Sequence, residues 1–191
     1  MSQTLKLDGE GVNLKISARA SFPALFRAKA QSPGQEPKFS LNGLLHKATD
    51  AESITDLKNA IQMVADNKWG KGKAPKNVIF GGDRCCLKEA SGKDYDGYDE
   101  FHLVVSASSS KPVGVVDRDL TPLTEQSGKP YPGCFVRMSI RVWAQDNQYG
   151  KRVNCQLRAV QFVKDGDTFG SGQVDASKEF ESLADEGGFT E

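Results

Sequence analysis

Phe135-Val136-Arg137-Met138-Ser139-Ile140-Arg141-Val142-Trp143-Ala144 is the stretch on which the fold turns. Val136, Met138, Ile140, Val142 and Ala144 fall on one side, and Phe135, Arg137, Ser139, Arg141 and Trp143 on the other. A period of two is that of a half-buried β-strand, so the apolar side is the core side. The opposite side interleaves two arginines with two large aromatics. That makes a poor solvent-facing surface but a good platform for single-stranded nucleic acid. Aromatic faces stack on bases at about 1–3 kcal/mol each, and guanidinium groups hold phosphates.

The pattern recurs on either side in sequence. In the stretch after Gly150, Arg152, Asn154, Gln156 and Arg158 alternate with Val153, Cys155, Leu157 and Ala159. Near the start, Val12, Leu14, Ile16, Ala18, Ala20 and Phe22 alternate with Asn13, Lys15, Ser17, Arg19 and Ser21, and Pro23 is expected to close that strand. Three strands thus put cations on their non-core faces. Competing uses for the same residues stay open. Trp143 and Phe135 fit under a helix or in an oligomer interface, and Arg137 and Arg141 fit against acids of residues 94–100.

Between these strands the chain reads as follows. A strand is expected at 38–46, after the Ser32-Pro33-Gly34 turn. Thr49 and Glu52 have capping-box spacing, and Ile54, Leu57, Ile61 and Val64 recur at helical intervals, which predicts a helix ending near Trp69-Gly70. Lys71, Lys73 and Lys76 then form a basic loop, a second contact for a polyanion. Residues 81–100 read as irregular, with Tyr95 and Tyr98 embedded. Further strands are expected at 101–107, 113–117, 134–144 and 152–163. Mainly β order with one inserted helix and long loops suits an OB-fold-like five-stranded barrel, with a sandwich as the alternative.

Charge is split along the chain. Residues 1–164 hold 24 Lys and Arg against 17 Asp and Glu, whereas residues 165–191 hold Lys178 against eight acids. The expected organisation is a nucleic-acid-binding domain over 1–164 and an acidic, mostly disordered tail over 165–191. Within the tail, Asp185, Glu186 and Phe189 make a short anchor in which charge steers and the ring docks. It can lie on the basic face or be offered to a partner.

Hydrophobic content of 38% and charged content of 26% place the chain in the soluble globular class. No run of about 20 apolar residues offers a membrane span, and the N-terminus lacks the apolar core of a signal peptide. Cys85, Cys86, Cys134 and Cys155 show no CxxC spacing, which fits a reduced, cytoplasmic setting. There is no phosphate-binding GxxxxGK[ST] loop and no GxGxxG. His46 and His102 stand at no recognisable spacing from a nucleophile, and a zinc site from Cys85, Cys86 and His102 matches no standard pattern. No catalysis, metal or cofactor is expected. A metal-dependent nucleic-acid enzyme built on Asp94, Asp96, Asp99 and Glu100 remains the enzymatic alternative. A structural protein whose aromatic strand is an oligomer interface is the other.

Several short stretches occur together: Arg19-Ala20-Ser21-Phe22-Pro23, Glu36-Pro37-Lys38-Phe39-Ser40, Lys68-Trp69-Gly70, Asp94-Tyr95-Asp96-Gly97-Tyr98, Val115-Val116-Asp117 and Tyr131-Pro132-Gly133-Cys134-Phe135-Val136-Arg137. In that order, over about residues 17–165, they resemble the single-stranded DNA-binding proteins of tailed bacteriophages. The 80–92 segment, with its Cys85-Cys86 pair, departs from the more acidic loop of that family.

The resemblance implies an OB-fold, binding of single strands without sequence preference, no catalysis, and an acidic tail for protein contacts. The resemblance does not itself assign contacts; from the alternation against a buried face, Lys15, Arg19, Arg137, Arg141 and Arg152 are expected to neutralise phosphate, with Lys71 and Lys73 assisting. Trp143, Phe135 and Tyr98 are expected to stack on bases. The expected partners are single-stranded DNA, with duplex DNA or RNA bound more weakly, and a phage polymerase or helicase through the tail. A homo-oligomer is compatible, and the host cytoplasm is the expected setting.

Overall fold

The structure is a computed structural model that describes residues 3–170. Its elements are β1 (Leu7–Asp8), β2 (Gly11–Lys29), β3 (Lys38–His46), α1 (Ala51–Trp69), β4 (Leu87–Glu89), β5 (His102–Ser109), β6 (Gly114–Val116), β7 (Phe135–Asn147) and β8 (Gly150–Lys164). Neighbouring strands run in the order β4-β5-β3-β2-β7-β8-β6. A parallel bridge from Ser108 of β5 to Gln156 of β8 closes β2, β3, β5, β8 and β7 into a five-stranded barrel. This is the OB-fold-like barrel expected from the alternation. Closure removes most open strand edges.

The interior is filled by the apolar sides of the alternating strands. Val12, Leu14, Ile16, Ala18 and Ala20 of β2 meet Val136, Met138, Ile140, Val142 and Ala144 of β7, all buried. On β8 the inward set is Val153, Cys155, Leu157, Val160 and Phe162. A register shift against Ser139/Ile140 pairs Ser139 with Ala159 and Ile140 with Leu157, leaving Arg158 as the extra residue. Beyond this bulge the parity of β8 reverses, so Ala159 leaves the buried side where plain alternation had put it.

Helix α1 buries Ile54, Leu57, Ala60, Ile61, Val64 and Ala65 as one stripe against the barrel core. Its N-cap is Asp50, without a side-chain capping bond, so the Thr49–Glu52 box does not form. The Asp50 carboxylate instead accepts the His46 backbone N–H at 2.7 Å, fixing the turn out of β3. The helix also protects an edge. β3 pairs with β2 from Arg19 onward and β1 pairs with Gly11 and Val12, which leaves residues 13–18 of β2 without a strand on that side. There Gln3 Oε1 accepts the Lys15 N–H at 2.8 Å and Ser53 Oγ accepts the Ser17 N–H at 3.2 Å. Among the described residues no helix is long and apolar enough to cross a membrane.

Pro23 does not close the first strand. β2 runs on to Lys29, and the register against β3 shifts between Ser21 and Ala24. Proline has no N–H to give the ladder, so the strand accommodates it in a bulge rather than ending. The bulge turns Phe22 out of the core series into solvent, at 53% exposure and φ +47°.

A second, smaller apolar cluster lies outside the barrel. Leu44 of β3 and Val104 of β5 pack with Ala90, Tyr98 and Phe169. The loop that carries Ala90 and Tyr98 thus roofs the outer face of β3 and β5. Short strand β4, within a segment read as irregular, anchors that loop by pairing Leu87 with Val105. The outer face of β2, β7 and β8 is left open.

Candidate nucleic-acid interface

Strand register sets the layout of this open face. Across β2, β7 and β8 the rows are Arg19–Phe135–Lys164, Ser17–Arg137–Gln161 and Lys15–Ser139–Ala159, followed by Asn13–Arg141–Gln156 and Gly11–Trp143–Asn154. Arg152 stands opposite Gln145 beyond them. One continuous surface therefore gathers Lys15, Arg19, Phe135, Arg137, Arg141, Trp143 and Arg152. Trp143, paired with Gly11 across the ladder, is 36% exposed.

The cations differ in how they are held. Among the described residues the side chains of Lys15, Arg137, Arg152, Lys71 and Lys73 have no hydrogen bond or ion pair. Arg141, by contrast, donates to Asp8 Oδ2 at 3.1 Å, to Asn13 Oδ1 at 3.3 Å and to the Asp8 carbonyl. The Arg141 hydrogen bond, helped by Asn13, holds the Asp8 carboxyl below the usual carboxylate range. Arg141 crosses directly over Gly11, where an added Cβ would stand 2.6 Å from its Nε. Neither Arg137 nor Arg141 pairs with the acids of residues 94–100; the hairpin formed by β1 and β2 supplies the partner.

Arg19 is held as well. Its Nε donates to the Gly133 carbonyl at 2.8 Å and its Nη2 to the Asp167 carbonyl at 2.7 Å. Its guanidinium lies 4.3 Å from the Phe169 ring centre and 5.6 Å from that of Phe135. Lys164 Nζ approaches Phe135 at 4.7 Å, so that ring has two cationic neighbours. Residues 165–170, grouped by composition with the acidic tail, form a strap against the barrel. Tyr131 Oη donates to Asp165 Oδ1 at 2.8 Å and accepts the Gly166 N–H at 3.1 Å, while Asp96 Oδ2 accepts the Gly170 N–H at 2.6 Å.

Tyr98 is only 6% exposed, and its hydroxyl sits 3.2 Å from both Ser21 Oγ and Asn42 Nδ2. Its ring is therefore withheld from a base and underlies the Phe22 and Tyr95 rings, at 6.1 and 5.5 Å between centres. Those two, with Phe169 and Lys164, are what the sequence reading missed. The available signal was Phe22-Pro23 itself, since a proline inside an alternating run marks a bulge that re-aims a side chain. At the other end, Trp69 Nε1 donates to Asp146 Oδ2 at 2.7 Å and Lys151 approaches the same oxygen at 3.8 Å. This ties the end of α1, and the Lys71–Lys73 loop after it, to the β7–β8 hairpin that bears Trp143 and Arg152. Asp185, Glu186 and Phe189 lie outside the described residues.

Two of the groups weighed for chemistry engage each other. His102 Nδ1 lies 2.6 Å from Asp99 Oδ1, and that hydrogen bond lowers the Asp99 carboxyl below its ordinary value. The cysteines are buried thiols: burial pushes Cys134 up to about 11, and hydrogen bonding with Cys86 together with burial pushes Cys85 far up. Among the described residues no three His, Cys, Asp or Glu side chains converge as a metal site. What the open face offers is stacking and phosphate contact.

The family model described as Enterobacter phage Enc34, ssDNA-binding protein, matches residues 12–190. Protein p50 of Acyrthosiphon pisum secondary endosymbiont phage 1 is 36% identical over 171 residues, covering 88% of this chain and 91% of that protein. Among solved structures, the single-stranded DNA-binding protein of bacteriophage Enc34 in complex with ssDNA superposes with a TM-score of 0.70 at 28% identity. That match covers 88% of this chain and 100% of the other. Gp2.5, a single-stranded DNA binding protein encoded by bacteriophage T7, shares the fold, with a TM-score of 0.55 at 11% identity over 89% of this chain and 97% of its own.

Proposed function

The chain belongs to the family of the Enterobacter phage Enc34 single-stranded DNA-binding protein, and from that premise we propose that it binds single-stranded DNA along the open face of β2, β7 and β8. The observation that carries this reading is the register. It puts Lys15, Arg137 and Arg152, whose side chains have no partner among the described residues, on the same surface as the exposed Trp143. Phosphates would run along the cations, and bases would stack on Trp143 and the accessible part of Phe135. Neither type of contact reads base identity, so binding is without sequence preference. The complex stores and shields exposed strands during phage DNA replication or recombination in the host cytoplasm, with no catalysis by the chain. Lys71 and Lys73 extend the cationic track beyond the β7–β8 hairpin. The acidic residues after 170, with Asp185, Glu186 and Phe189, serve as a contact for a phage polymerase or helicase.

The test is fluorescence anisotropy of a labelled oligo-dT with the full chain and with Trp143→Ala, circular dichroism checking the fold of both. Removing one stacking ring is expected to weaken binding by about 1–3 kcal/mol, or roughly 5- to 150-fold. Failure of the wild-type chain to bind would overturn the proposal. Unchanged affinity in a folded Trp143→Ala variant would remove that ring from the interface.

A further inference from the structure

Beside the open face lies a cleft of about 510 Å³, lined by Ser21, Phe22, Asp94, Tyr95, Asp96 and Phe169 together with Gly170. Its volume is in the range of small-molecule sites, about 300–1,000 Å³. Two of its walls are rings left in solvent: Phe22 is 53% and Tyr95 54% exposed, edge to face with 5.0 Å between centres. Phe22 holds this position at φ +47°, a conformation that side-chain-bearing residues avoid. Buried Tyr98 supports both rings from below. The geometry holds apolar rings out where burial would be favourable, which suits a flat aromatic guest.

Charge narrows the guest. The lining contains no cation, and two carboxylates face the cleft. Asp94 has no hydrogen bond or ion pair among the described residues, and Asp96 gives one oxygen to the Gly170 N–H. A phosphate would be repelled. A carboxylate only accepts hydrogen bonds, so the favoured guest presents N–H donors at its edge. Cytosine, adenine and guanine carry an exocyclic amino group with two N–H donors, whereas thymine has a single N3–H flanked by two carbonyl oxygens that a carboxylate repels. The cleft is continuous with the basic surface, because its Phe169 wall lies against Arg19 at 4.3 Å and Ser21 follows Arg19 on the same strand.

We propose that the Phe22–Tyr95 cleft is a subsite for one nucleobase of the bound strand, selecting amino-bearing bases over thymine. Phe22 and Tyr95 contact the ring and the Asp94 and Asp96 carboxylates accept from its amino group. The inference rests on the single-stranded DNA reading above. It adds a local base preference to a face that otherwise reads only backbone and stacking.

The experiment is a competition assay with the full chain, labelled oligo-dT as tracer, and two unlabelled competitors of equal length: all dT, and dT with dC at every third position. The mixed strand should compete about three- to tenfold better, the worth of one hydrogen bond. The double variant Asp94→Asn with Asp96→Asn should lose that preference while binding all-dT at least as well as wild type. Phe22→Gly should bind both strands more weakly with an undiminished melting temperature, since glycine is at ease at that φ. Equal competition by the two strands, or a preference that survives the double variant, would overturn the subsite and leave the general reading intact. Absence of binding to the oligo-dT tracer overturns the general reading itself, and the subsite with it.

Discussion

Arg19 and Phe169 are stacked, the guanidinium carbon 4.3 Å from the ring centre, and through this contact the chain after β8 is fastened to the strand that opens the barrel. The approach is so close that glycine is required on both sides. A Cβ on Gly133 would stand 2.0 Å from the Asp167 carbonyl oxygen, and one on Gly166 would stand 2.3 Å from the Gly133 carbonyl oxygen. Residues 165–170 therefore pack against the barrel.

This fastening predicts a difference between two truncations. A chain ending at residue 164 loses the bonds to Arg19 and Tyr131 and uncovers part of the Leu44–Val104 cluster. It should be less stable than a chain ending at residue 170 by about 1–3 kcal/mol, the usual size of losing a buried contact with its hydrogen bonds. Urea melts of the two proteins check it. Coincident midpoints would mean that the strap lies on the barrel without stabilising it.

The Asp8–Arg141 pair predicts a gain. The folded-state pKa of Asp8 is depressed, so whatever the pair contributes is present above the unfolded value of 3.8 and is lost as pH falls through the lower folded value. Through neutral and mildly acid pH Arg141 thus stays engaged. Asp8→Asn removes the competing charge and frees the guanidinium for phosphate. Affinity for oligo-dT should rise, and the slope of log K against log salt should steepen by about 0.7, the increment for one further contact on a single strand. An unchanged slope would keep Arg141 out of phosphate binding.

Gly43 of β3 reports on how tightly the barrel is filled. An added Cβ would meet Met138 Sδ at 2.7 Å, the Ala18 Cβ at 2.9 Å and Val105 Cγ1 at 3.2 Å. Only the methionine can move aside readily. Gly43→Ala should cost about 1–3 kcal/mol by overpacking, measured as a lowered denaturation midpoint. A neutral substitution would indicate an interior looser than the fold implies.

Much of this architecture was legible because it rests on local periodicity. Alternation identified β7 nearly to its end, the strand expected at 38–46 after the Ser32-Pro33-Gly34 turn is β3, and the Ile54–Leu57–Ile61–Val64 spacing identified α1. It failed where a tertiary contact overrides a local signal. Pro23 looks like a stop, yet the strand passes it in a bulge because β3 pairs with Ser21 before it and Ala24 after it. Ala159 looks inward-facing until the shift against Ser139 reverses parity. Thr49 and Glu52 have the spacing of a cap, but Asp50 takes the cap position and gives its carboxylate to His46. The candidate site divides in the same way. The outward placement of Trp143, Arg137 and Arg152 was readable because each lies on a regular strand. The engagement of Arg141 by Asp8, the burial of Tyr98 and the exposure of Phe22 depend on residues far away in sequence, which no spacing encodes.

On the function proposed above, a strand of DNA lies on this face held by phosphate contacts. The most direct test is the salt dependence of oligo-dT binding by the full chain, compared with the double variant Arg137→Ala with Arg152→Ala. The expected result is a linear fall of log K with log salt. Each phosphate contact contributes about 0.7 to the slope, so the variant should be shallower by about 1.4. Binding that ignores salt, or a variant with the wild-type slope, would contradict the assignment of this face.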